Sequence, residues 1–439
     1  MDDAPLKIGI AGLGTVGAAV FRLLEDNGAL IAARLQRPVR VTAVSARSRK
    51  DRGLDLSKVK WHDDPAALAD DENVDLVVEL IGGAEGAAFD LVRKSLGNGK
   101  PVVTANKALL AARGGEILRL LENGPENGKR TLSYEAAVAG GIPVIKALRE
   151  GLVANEINAV YGILNGTCNF ILSQMRGTGG KFGDVLKEAQ AKGYAEADPS
   201  FDIDGIDAAH KLSILSGLAF GCVPDPASVR TQGIRDITGV DIAFADELGY
   251  RIKLLGIARR TARGIEQSVE PCLVPKNIPM AHIEGVENAV YIDGGHAGKI
   301  LLTGAGAGGS ATASAVVADI IDAARGGAGL PLFGRADPQT MQTADTAART
   351  GSYFLRLTVL DQPGVIADVS AILRDCRVSL ESILQRGRAP NQPVPVILTS
   401  HETLEGDMLK AAEKIGRLGS SVEPPHLMRI ETFERDPLQ

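Results

Sequence analysis

The stretch LKIGIAGLGTVGAAVFRLLEDNG, residues 6–28, decides the fold of the N-terminal part of the chain. An apolar strand pattern runs into the glycine pattern G-x-G-x-x-G, and a helix pattern follows it directly. Gly12 allows a tight turn, Gly14 lets the backbone approach a pyrophosphate, and Gly17 lets the helix pack on the strand. The stretch therefore predicts an α/β domain of the Rossmann type with a dinucleotide site; a plain tight turn is the alternative.

The residues after this turn indicate which dinucleotide fits. The helix begins near Thr15 and Val16, whose amides would face the phosphates. The next strand, RPVRVTAVSARS, should end beside the adenosine ribose, where an NAD-selective site usually has an acid. This chain has Ser45, Arg47, Arg49 and Lys50 there. Hydroxyl and guanidinium groups suit a 2′-phosphate, so NADP is favoured and NAD remains possible; the alternative is a solvated basic turn.

Two further strand patterns extend the same sheet. VDLVVELIGG is an unalternated apolar run, typical of a buried parallel strand. PVVTANKALLA is read as a strand at Val102–Val103 that runs into Thr104 and Lys107 and then a helix. Ligands of open α/β sheets bind at the carboxyl ends of strands. We therefore expect Thr104 and Lys107 at the cofactor crevice. TLSYEAAVAGGIPVIKALREG follows as a strand to Tyr134-Glu135, a glycine turn and a helix.

An acidic stretch later in the chain, GYAEADPSFDIDGIDAAHKLSIL at 193–215, places five carboxylates before one lysine. Asp207 and Lys211 are four residues apart and share a helix face, beside an apolar stripe of helical spacing. Asp202 and Asp204 are expected near the helix start, where caps and the helix dipole favour acids. Spacing alone leaves a solvated ion pair and a functional cluster equally open.

Length and composition limit the number of domains, the class of partner and the cellular compartment. The chain has 439 residues, enough for about two to four domains. A net charge of −6 and few aromatics argue against nucleic acid. The four cysteines form no C-x-x-C pair, which fits a reducing compartment without a zinc cluster. No apolar run approaches the roughly 18 residues of a membrane span, and a first strand near Leu6 leaves no room for a signal peptide. We expect a soluble cytoplasmic protein.

A second formal G-x-G-x-x-G lies in KILLTGAGAGGSATASAVVADII, at Gly304, Gly306 and Gly309. No second βαβ pattern follows it. We expect the chain to return here into the first domain, with the backbone of Gly306 lining the nicotinamide side; a simple hinge turn is the alternative.

The C-terminal part predicts a separate module. Residues 325–351 are rich in Gly, Ala, Pro and Thr and are read as a linker. Residues 352–433 follow with the order βαββαβ, a ferredoxin-like plan.

Five motifs together carry a family resemblance. The N-terminal G-x-G-x-x-G, TANK at 104–107, YEAAVAGGIP at 134–143, NGTCNFIL at 165–172 and EADPSFDIDGIDAAHK at 196–211 resemble homoserine dehydrogenases in content and order. The resemblance implies NAD(P)-dependent interconversion of L-aspartate 4-semialdehyde and L-homoserine in threonine, methionine and isoleucine biosynthesis. No aspartate-kinase domain precedes the first strand, so a monofunctional enzyme is expected.

The resemblance implies a role for each residue of the acidic stretch and of TANK. Lys211 is similar to the general acid/base, and Lys107 to a second lysine between nicotinamide and substrate. Asp207 resembles a carboxylate that orients lysine. Glu196 resembles the residue that holds the substrate ammonium, and Asp202 lies on the substrate side.

The resemblance also implies residues that bind the cofactor and a sodium ion. Gly193 would contact the cofactor. Glu135, together with the backbone at Val138, Gly140 and Ile142, matches a sodium site near the domain junction.

The implied domain plan has three folded parts. Residues 1–141 form the Rossmann domain, completed by about 305–325, and residues 142–324 form an α+β catalytic and dimerisation domain. After the linker, residues 352–433 resemble an ACT domain, a module that binds amino acids.

The resemblance places an effector at the turn of that module. Asp361, Gly364 and Val365 would bind it, and feedback control by threonine is implied; a module that only holds an oligomer together is the alternative. A homodimer or homotetramer is expected, with no nucleic-acid or membrane partner.

Two rival functions stay open at this point. One is a catalytically silent amino-acid sensor on a dehydrogenase fold, although both lysines are present. The other is a different ACT-bearing dehydrogenase, such as prephenate dehydrogenase, which would use a histidine and arginines. Among the six histidines only His210 lies in a motif.

Overall fold

The computed structural model describes residues 4–50, 52–122, 130–326, 330–387 and 389–433. They form a six-stranded sheet and a mixed sheet of 11 strands.

The N-terminal part forms a parallel sheet flanked by helices. Its elements are β1 Leu6–Ala11, α1 Thr15–Asp26, α2 Gly28–Leu35, β2 Val39–Ser45, β3 Lys60–His62, β4 Leu76–Glu79, α3 Ala87–Gly97, β5 Val102–Thr104, α4 Lys107–Glu122 and β6 Leu132–Ser133. All five strand pairs are parallel, in the order β3-β2-β1-β4-β5-β6. This is the strand order of dinucleotide-binding Rossmann folds, with its switch point between β1 and β4. The predicted Rossmann-type fold is confirmed.

The turn between β1 and α1 requires glycine at two positions. Gly12 has φ of 99°, and a Cβ there would lie 2.5 Å from the carbonyl oxygen of Leu80. A Cβ at Gly17 would lie 1.9 Å from the carbonyl oxygen of Gly12. Larger residues would push α1 off the strand, so these two glycines set the position of the helix N-terminus.

The central part combines helices with long antiparallel strands. Its elements are α5 Val144–Lys146, β7 Ala159–Ile163, α6 Gly166–Thr178, α7 Phe182–Ala191, α8 Ser200–Ile203, α9 Ile206–Phe220, β8 Arg230–Thr231, α10 Gly239–Glu247, β9 Tyr250–Thr261, β10 Gly264–Pro275, β11 Glu287–Asp293, β12 Lys299–Ala305 and α11 Gly309–Ala324. The strands run in the order β12-β11-β7-β9-β10. The predicted apolar stripe of α9 is buried: Leu212 and Leu215 are fully shielded.

The predicted strand to Tyr134-Glu135 ends earlier than expected. β6 stops at Ser133, and Glu135 opens a short 3-10 turn that runs to Ala137. The side chain of Glu135 turns inward to accept backbone hydrogen bonds further along the chain, which ends the strand.

Asp202 and Asp204 lie just before α9, as predicted, but neither side chain caps that helix. Gly205, with φ of 83°, separates α8 from α9, and no side chain caps α9. Asp202 lies inside α8, and Asp204 pairs with Arg235, its Oδ2 2.9 Å from the guanidinium. Asp198 accepts the amide of Ser200 in a local turn.

The last helix of the central part, α11, packs on the first domain. Its residues Ala313, Val316 and Ile320 share an apolar core with Val20 and Leu24 of α1. The chain therefore returns to the Rossmann sheet here, and Gly309 lies against Thr15.

The C-terminal module has a ferredoxin-like topology. Its elements are β13 Thr350–Leu360, α12 Val365–Asp375, β14 Leu380–Gln385, β15 Pro393–Ser400, β16 Thr403–Leu404, α13 Glu405–Gly416 and β17 His426–Ile430. The four main strands pair antiparallel in the order β17-β13-β15-β14. This matches the predicted βαββαβ plan. β17 also pairs in parallel with β10, so the module continues the central sheet.

The stretch predicted as a linker is packed into the protein. Phe333 is fully buried, and the hydroxyl of Tyr134 donates to the carbonyl oxygen of Leu332. Arg349 is 3% exposed and β13 begins at the next residue. Residues 327–329 of the stretch lie outside the described residues.

Candidate active site

A cavity of about 340 Å³ lies against the glycine turn at the carboxyl end of β1. Gly12 and Gly14 line it, and a Cβ at Gly14 would meet no heavy atom within 4 Å. α1 begins there at Thr15 and Val16, with no side chain capping its amides. Uncapped amides at a helix N-terminus bind phosphate oxygens well, so the turn fits a pyrophosphate.

Basic side chains line another part of this cavity. Ser45 is buried at the end of β2, Arg47 is exposed just beyond it, and both line the cavity. Arg52 lines it as well, held by hydrogen bonds to the carbonyl oxygens of residues 48 and 50. Sequence reasoning missed Arg52, although it closes the basic run. Asp63 is the one acid among the lining residues, and Trp61 donates to it.

The loop after β4 depends on a buried carboxylate that sequence reasoning also missed. Glu79 is fully buried and accepts the amides of Ile81 at 2.7 Å and Gly82 at 3.2 Å. Its other oxygen accepts the hydroxyl of Thr104 at 2.6 Å. Thr104 in turn accepts the amide of Asn106. The hydroxyl of Thr104 therefore shapes the turn that leads into α4.

Two lysines and one aspartate meet where β5 ends. Lys107 is the first residue of α4, and α9 carries Asp207 and Lys211. Asp207 Oδ1 lies 2.8 Å from Lys107 Nζ, and Oδ2 lies 2.8 Å from Lys211 Nζ. The Lys107 side chain is 34% exposed and that of Lys211 is 11% exposed. The predicted pairing of Asp207 with Lys211 is confirmed, and Lys107 joins the same carboxylate from the first domain.

Asn165 organises this cluster and was not singled out from the sequence. Its side-chain oxygen caps α6 by accepting the amide of Cys168 at 2.8 Å. Its amide nitrogen donates to Asp202 at 2.7 Å and to Asp207 at 3.0 Å. Lys211 also donates to the carbonyl oxygen of Leu164 at 2.7 Å. The turn between β7 and α6, at NGTCNF, therefore holds the side chains of the cluster in place. An asparagine at a predicted helix N-cap was the sequence feature that could have pointed to this residue.

The pKa values of the two aspartates in the cluster are shifted in opposite directions. Burial would raise the pKa of Asp207, but the charges of Lys211 and Lys107 outweigh it and hold that pKa well below its usual range. Burial raises the pKa of Asp202, which has the Asn165 amide but no ion pair among the described residues. Asp207 therefore stays ionised between the two lysines. Asp202 has no cation beside it among the described residues, so it could bind a cationic group of a ligand.

Two further predicted contacts lie in the loop before α8. Glu196 is exposed, and its carboxylate forms no ion pair with a described residue. The loop is held through the carbonyl of Glu196, which accepts the side chain of Gln190. Gly193 follows α7 with φ of 74°, and a Cβ there would meet no heavy atom within 4 Å.

The second glycine loop packs against the junction of the two domains. A Cβ at Gly306 would overlap the side chain of Asn288. A Cβ at Gly140, which has φ of 42°, would lie 2.6 Å from the carbonyl oxygen of Gly306. Gly141 donates to the carbonyl oxygen of Ala305 at 2.9 Å. The loop therefore holds the turn around residue 140 and brings α11 to α1.

That turn carries the residues predicted to bind sodium. Glu135 is 2% exposed and accepts the amides of Ile145 and Lys146, each at 2.8 Å. Burial raises its pKa to about 7. The carbonyl oxygens of Val138 and Gly140 accept no hydrogen bond from the described residues. Carbonyl oxygens without a hydrogen-bond donor are ligands that suit a hard cation. The carbonyl of Ile142 accepts the amide of residue 144.

The predicted effector turn precedes α12. Gly364 has φ of 95° and stands as the N-cap residue, with Val365 buried behind it. Asp361 accepts the amide of Ala389 at 2.8 Å and is thereby tied to the loop after β14.

Two features are absent from the residues that the structure describes. No helix there has the length and apolar character needed to cross a membrane. No group of three or more histidine, cysteine, aspartate and glutamate side chains there could hold a metal ion.

A Rossmann sheet with an open phosphate turn, and a lysine–aspartate–lysine cluster at the ends of its strands, define a pyridine-nucleotide-dependent oxidoreductase. Family models agree in detail. The model for the homoserine dehydrogenase NAD-binding domain matches residues 12–133, and the model for homoserine dehydrogenase matches residues 143–321. The chain belongs to the homoserine dehydrogenase family.

Similar proteins cover nearly the whole chain. A homoserine dehydrogenase of Pseudomonas aeruginosa is 45% identical over 97% of this chain and 99% of its own length. The crystal structure of a homoserine dehydrogenase from Thiobacillus denitrificans superposes with a TM-score of 0.91 at 43% identity, covering 98% of this chain and 99% of that one. A hyperthermophilic archaeal homoserine dehydrogenase in complex with NADPH gives a TM-score of 0.61 at 27% identity, covering 73% and 98%. These likenesses argue against the prephenate dehydrogenase alternative.

Proposed function

We propose that the chain interconverts L-aspartate 4-semialdehyde and L-homoserine with NADP(H), in the biosynthesis of threonine, methionine and isoleucine. The observation that carries this proposal is the carboxylate of Asp207, which holds Lys107 and Lys211 together at the carboxyl ends of the cofactor-binding strands. The nicotinamide, when bound, supplies or accepts the hydride at the substrate carbon.

Lys211 is the proposed general acid for aldehyde reduction and the general base for alcohol oxidation. Its ammonium has three N–H groups, and two of them donate to Asp207 and to the carbonyl oxygen of Leu164. The third is free to donate to the carbonyl oxygen of a substrate and then to release its proton to the developing alkoxide. Lys107, whose side chain is partly exposed, would donate to the same oxygen and stabilise its negative charge.

Two carboxylates are proposed to bind the substrate ammonium. Glu196 is exposed and unpaired among the described residues, and Asp202 lies beside Asp207 with a raised pKa. A bound ammonium would favour the ionised form of Asp202. Gly193, whose surroundings are open, leaves room near this loop for the cofactor.

The preference for NADP over NAD rests on the cavity at the end of β2. Arg47 and Arg52 line it, and Ser45 stands where an NAD-selective site usually has an acid. Guanidinium groups recognise phosphate by charge and by paired hydrogen bonds, which a 2′-hydroxyl cannot exploit to the same extent.

A sodium ion is proposed at the junction turn. Glu135 and the carbonyl oxygens of Val138, Gly140 and Ile142 would hold it. The ion would lower the cost of the buried carboxylate and stiffen the turn between the two domains. Its role is structural, because these groups take no part in the proton transfer described above.

The C-terminal module is proposed to be an ACT domain that binds threonine as a feedback effector. Gly364 exposes the amides of α12, which suit an amino-acid carboxylate, and Asp361 with Val365 completes the turn. A cytoplasmic homodimer or homotetramer is proposed as well. β12 is the end strand of the 11-stranded sheet and its apolar residues are only half-buried, so a second copy could cover it.

A steady-state assay of homoserine oxidation tests the proposal. The purified chain is assayed with NADP and with NAD, each with and without threonine, by following nicotinamide absorbance. We expect turnover with homoserine, a lower Michaelis constant for NADP, and inhibition by threonine. No turnover with either nucleotide would favour the silent-sensor alternative.

A further inference from the structure

Asn165 forms hydrogen bonds through both ends of its side-chain amide. It is 5% exposed and is the N-cap residue of α6, where its side-chain oxygen accepts the amide of Cys168 at 2.8 Å. Because a backbone amide can only donate, this contact identifies the oxygen, and the NH2 group must face the other way. The NH2 group donates to Asp202 at 2.7 Å and to Asp207 at 3.0 Å.

A helix cap alone does not require asparagine at this position. Aspartate and serine cap a helix about as well. An aspartate here would place a third carboxylate beside Asp202 and Asp207, and the single hydrogen of a serine hydroxyl could not serve both of them. Burial and the nearby charge of Asp207 both raise the pKa of Asp202, so the two carboxylates repel each other. The NH2 group of Asn165 therefore serves the two aspartates as well as the helix.

The oxygen of Asp207 that accepts from Asn165 is also the oxygen that holds the proposed proton donor. Oδ2 accepts Lys211 Nζ at 2.8 Å as well as the Asn165 amide, whereas Oδ1 faces Lys107. Two donors on one oxygen share its negative charge, so a stronger hydrogen bond from the amide weakens the attraction of Asp207 for Lys211. The other N–H of the same amide is bound to Asp202, and so Asn165 joins the two aspartates.

We propose that Asn165 is a positioning residue that couples binding of the substrate ammonium at Asp202 to proton transfer at Lys211. The inference rests on the proposed function. When the ammonium pairs with Asp202, it takes up charge that the amide had been sharing, and the hydrogen bond from the amide to Asp207 strengthens. Asp207 then holds Lys211 less firmly. In aldehyde reduction an N–H bond of Lys211 breaks while the O–H bond of the alcohol forms, and the electron pair stays on Nζ. Asn165 transfers no proton.

Steady-state oxidation of homoserine as a function of pH tests the role with Asn165→Ser, which keeps a helix cap and removes the bridge. Turnover at saturation should fall by about tenfold, as for the loss of a hydrogen bond to a charged group. The pH of half-maximal turnover should rise by about one unit, because Asp207 holds the proton of Lys211 more firmly. Asn98→Ser is the matched control: that amide also donates to an aspartate, Asp70 at 3.1 Å, and the variant should keep wild-type kinetics.

The shift in pH separates this role from capping. The substitution leaves in place the titratable groups of the cluster and its surroundings, which are Lys107, Cys168, Asp202, Asp207, His210 and Lys211. Wild-type turnover with an unchanged pH profile in Asn165→Ser would show that the residue only caps α6, and would overturn the proposal. If circular dichroism shows the serine variant to be unfolded, Asn165→Asp replaces it. That variant keeps the capping oxygen, loses the NH2 group and should lose at least as much turnover.

A double-mutant cycle tests the coupling itself. Asp202→Asn should slow turnover in the wild-type background, yet change it by less than about twofold in the Asn165→Ser background, where the bridge is already lost. Effects of the two substitutions that simply multiply would overturn the coupling. Such a result, with normal turnover in wild type, leaves the proposed function intact. A wild-type protein that does not oxidise homoserine contradicts the proposed function, and this inference fails with it.

Discussion

Asp207 on α9 holds Lys107 at 2.8 Å, and so joins α9 to the first residue of α4, the helix that follows β5 of the Rossmann sheet. The same carboxylate holds Lys211 at 2.8 Å. The two ammonium groups are therefore fixed relative to each other by one buried anion, across the boundary between two domains. In the proposed mechanism, this arrangement would keep both donors aimed at one substrate oxygen without further movement.

Asp207→Asn tests this arrangement. An amide cannot accept from both lysines with the strength of a carboxylate, so both ammonium groups lose their fixed positions. We expect turnover to fall by about 10²-fold or more, with NADPH affinity unchanged because the glycine turn is untouched. The control is Asp204→Asn, the same change at the pair with Arg235. Equal turnover in the two variants would contradict the role of Asp207, provided that circular dichroism shows both folded.

Lys211→Ala removes the proposed proton donor. The variant should fold and bind NADPH, yet turn over about 10²- to 10⁴-fold more slowly, the range for loss of a positioned acid or base. Lys192→Ala is the matched control, since Lys192 is paired on the surface with Glu188. Steady-state kinetics and fluorescence titration with NADPH make the comparison. Near-normal turnover of Lys211→Ala would rule out the assigned role.

The sequence could predict the parts of this fold that depend on local chemistry. The glycine turn at residues 12–17 and the start of α4 after β5 follow from backbone sterics and strand patterns close in sequence. The i, i+4 spacing of Asp207 and Lys211 is local as well, and the structure confirms the pair.

What the sequence could not show is contact between distant segments. Asn165 reaches Asp202 and Asp207 only after α6, α7 and α8 have packed. Arg349 looked like part of a polar linker because its acceptors, Glu270 and Glu405, lie on other elements at the boundary between the central domain and the C-terminal module. A composition rich in small residues indicates turns, but it does not reveal a buried arginine among them.

Glu196→Ala tests substrate binding in the loop before α8. Loss of the unpaired carboxylate should chiefly raise the Michaelis constant for homoserine, by about tenfold, as expected for one charged hydrogen bond. Turnover at saturation should change little. Glu188→Ala, which removes a half-buried acid of α7, is the control. An unchanged Michaelis constant in the Glu196 variant would argue against ammonium binding there.

Glu270→Gln tests the buried ion pairs that join the C-terminal module to the central domain. Burial would raise the pKa of Glu270, but the charge of Arg349 outweighs it and lowers that pKa to about 2, from 4.5 when unfolded. The pair therefore stabilises the fold above pH 4.5, and this is lost as the pH falls toward 2. We expect the variant to be less stable by about 3 kcal/mol at neutral pH.

The difference should shrink steadily as the pH is lowered through this window. Urea denaturation followed by circular dichroism measures it at neutral and at acidic pH. Glu402→Gln provides the control, because that residue is exposed at the same domain boundary. A gap between wild type and Glu270→Gln that does not depend on pH would show that lost packing, and not the charge pair, is responsible.

Arg47→Ala tests the choice of cofactor. Arg47 lines the cavity at the end of β2, and removing its guanidinium should weaken NADPH by about tenfold while leaving NADH nearly unchanged, because only NADPH carries the 2′-phosphate. Arg49→Ala is the matched control: its guanidinium stacks 5.1 Å from the ring centroid of Trp61. Fluorescence titration with each nucleotide, repeated at higher salt, should show the loss for NADPH shrinking as phosphate contacts are screened. Equal losses for both nucleotides would undo the assignment of the 2′-phosphate to this wall.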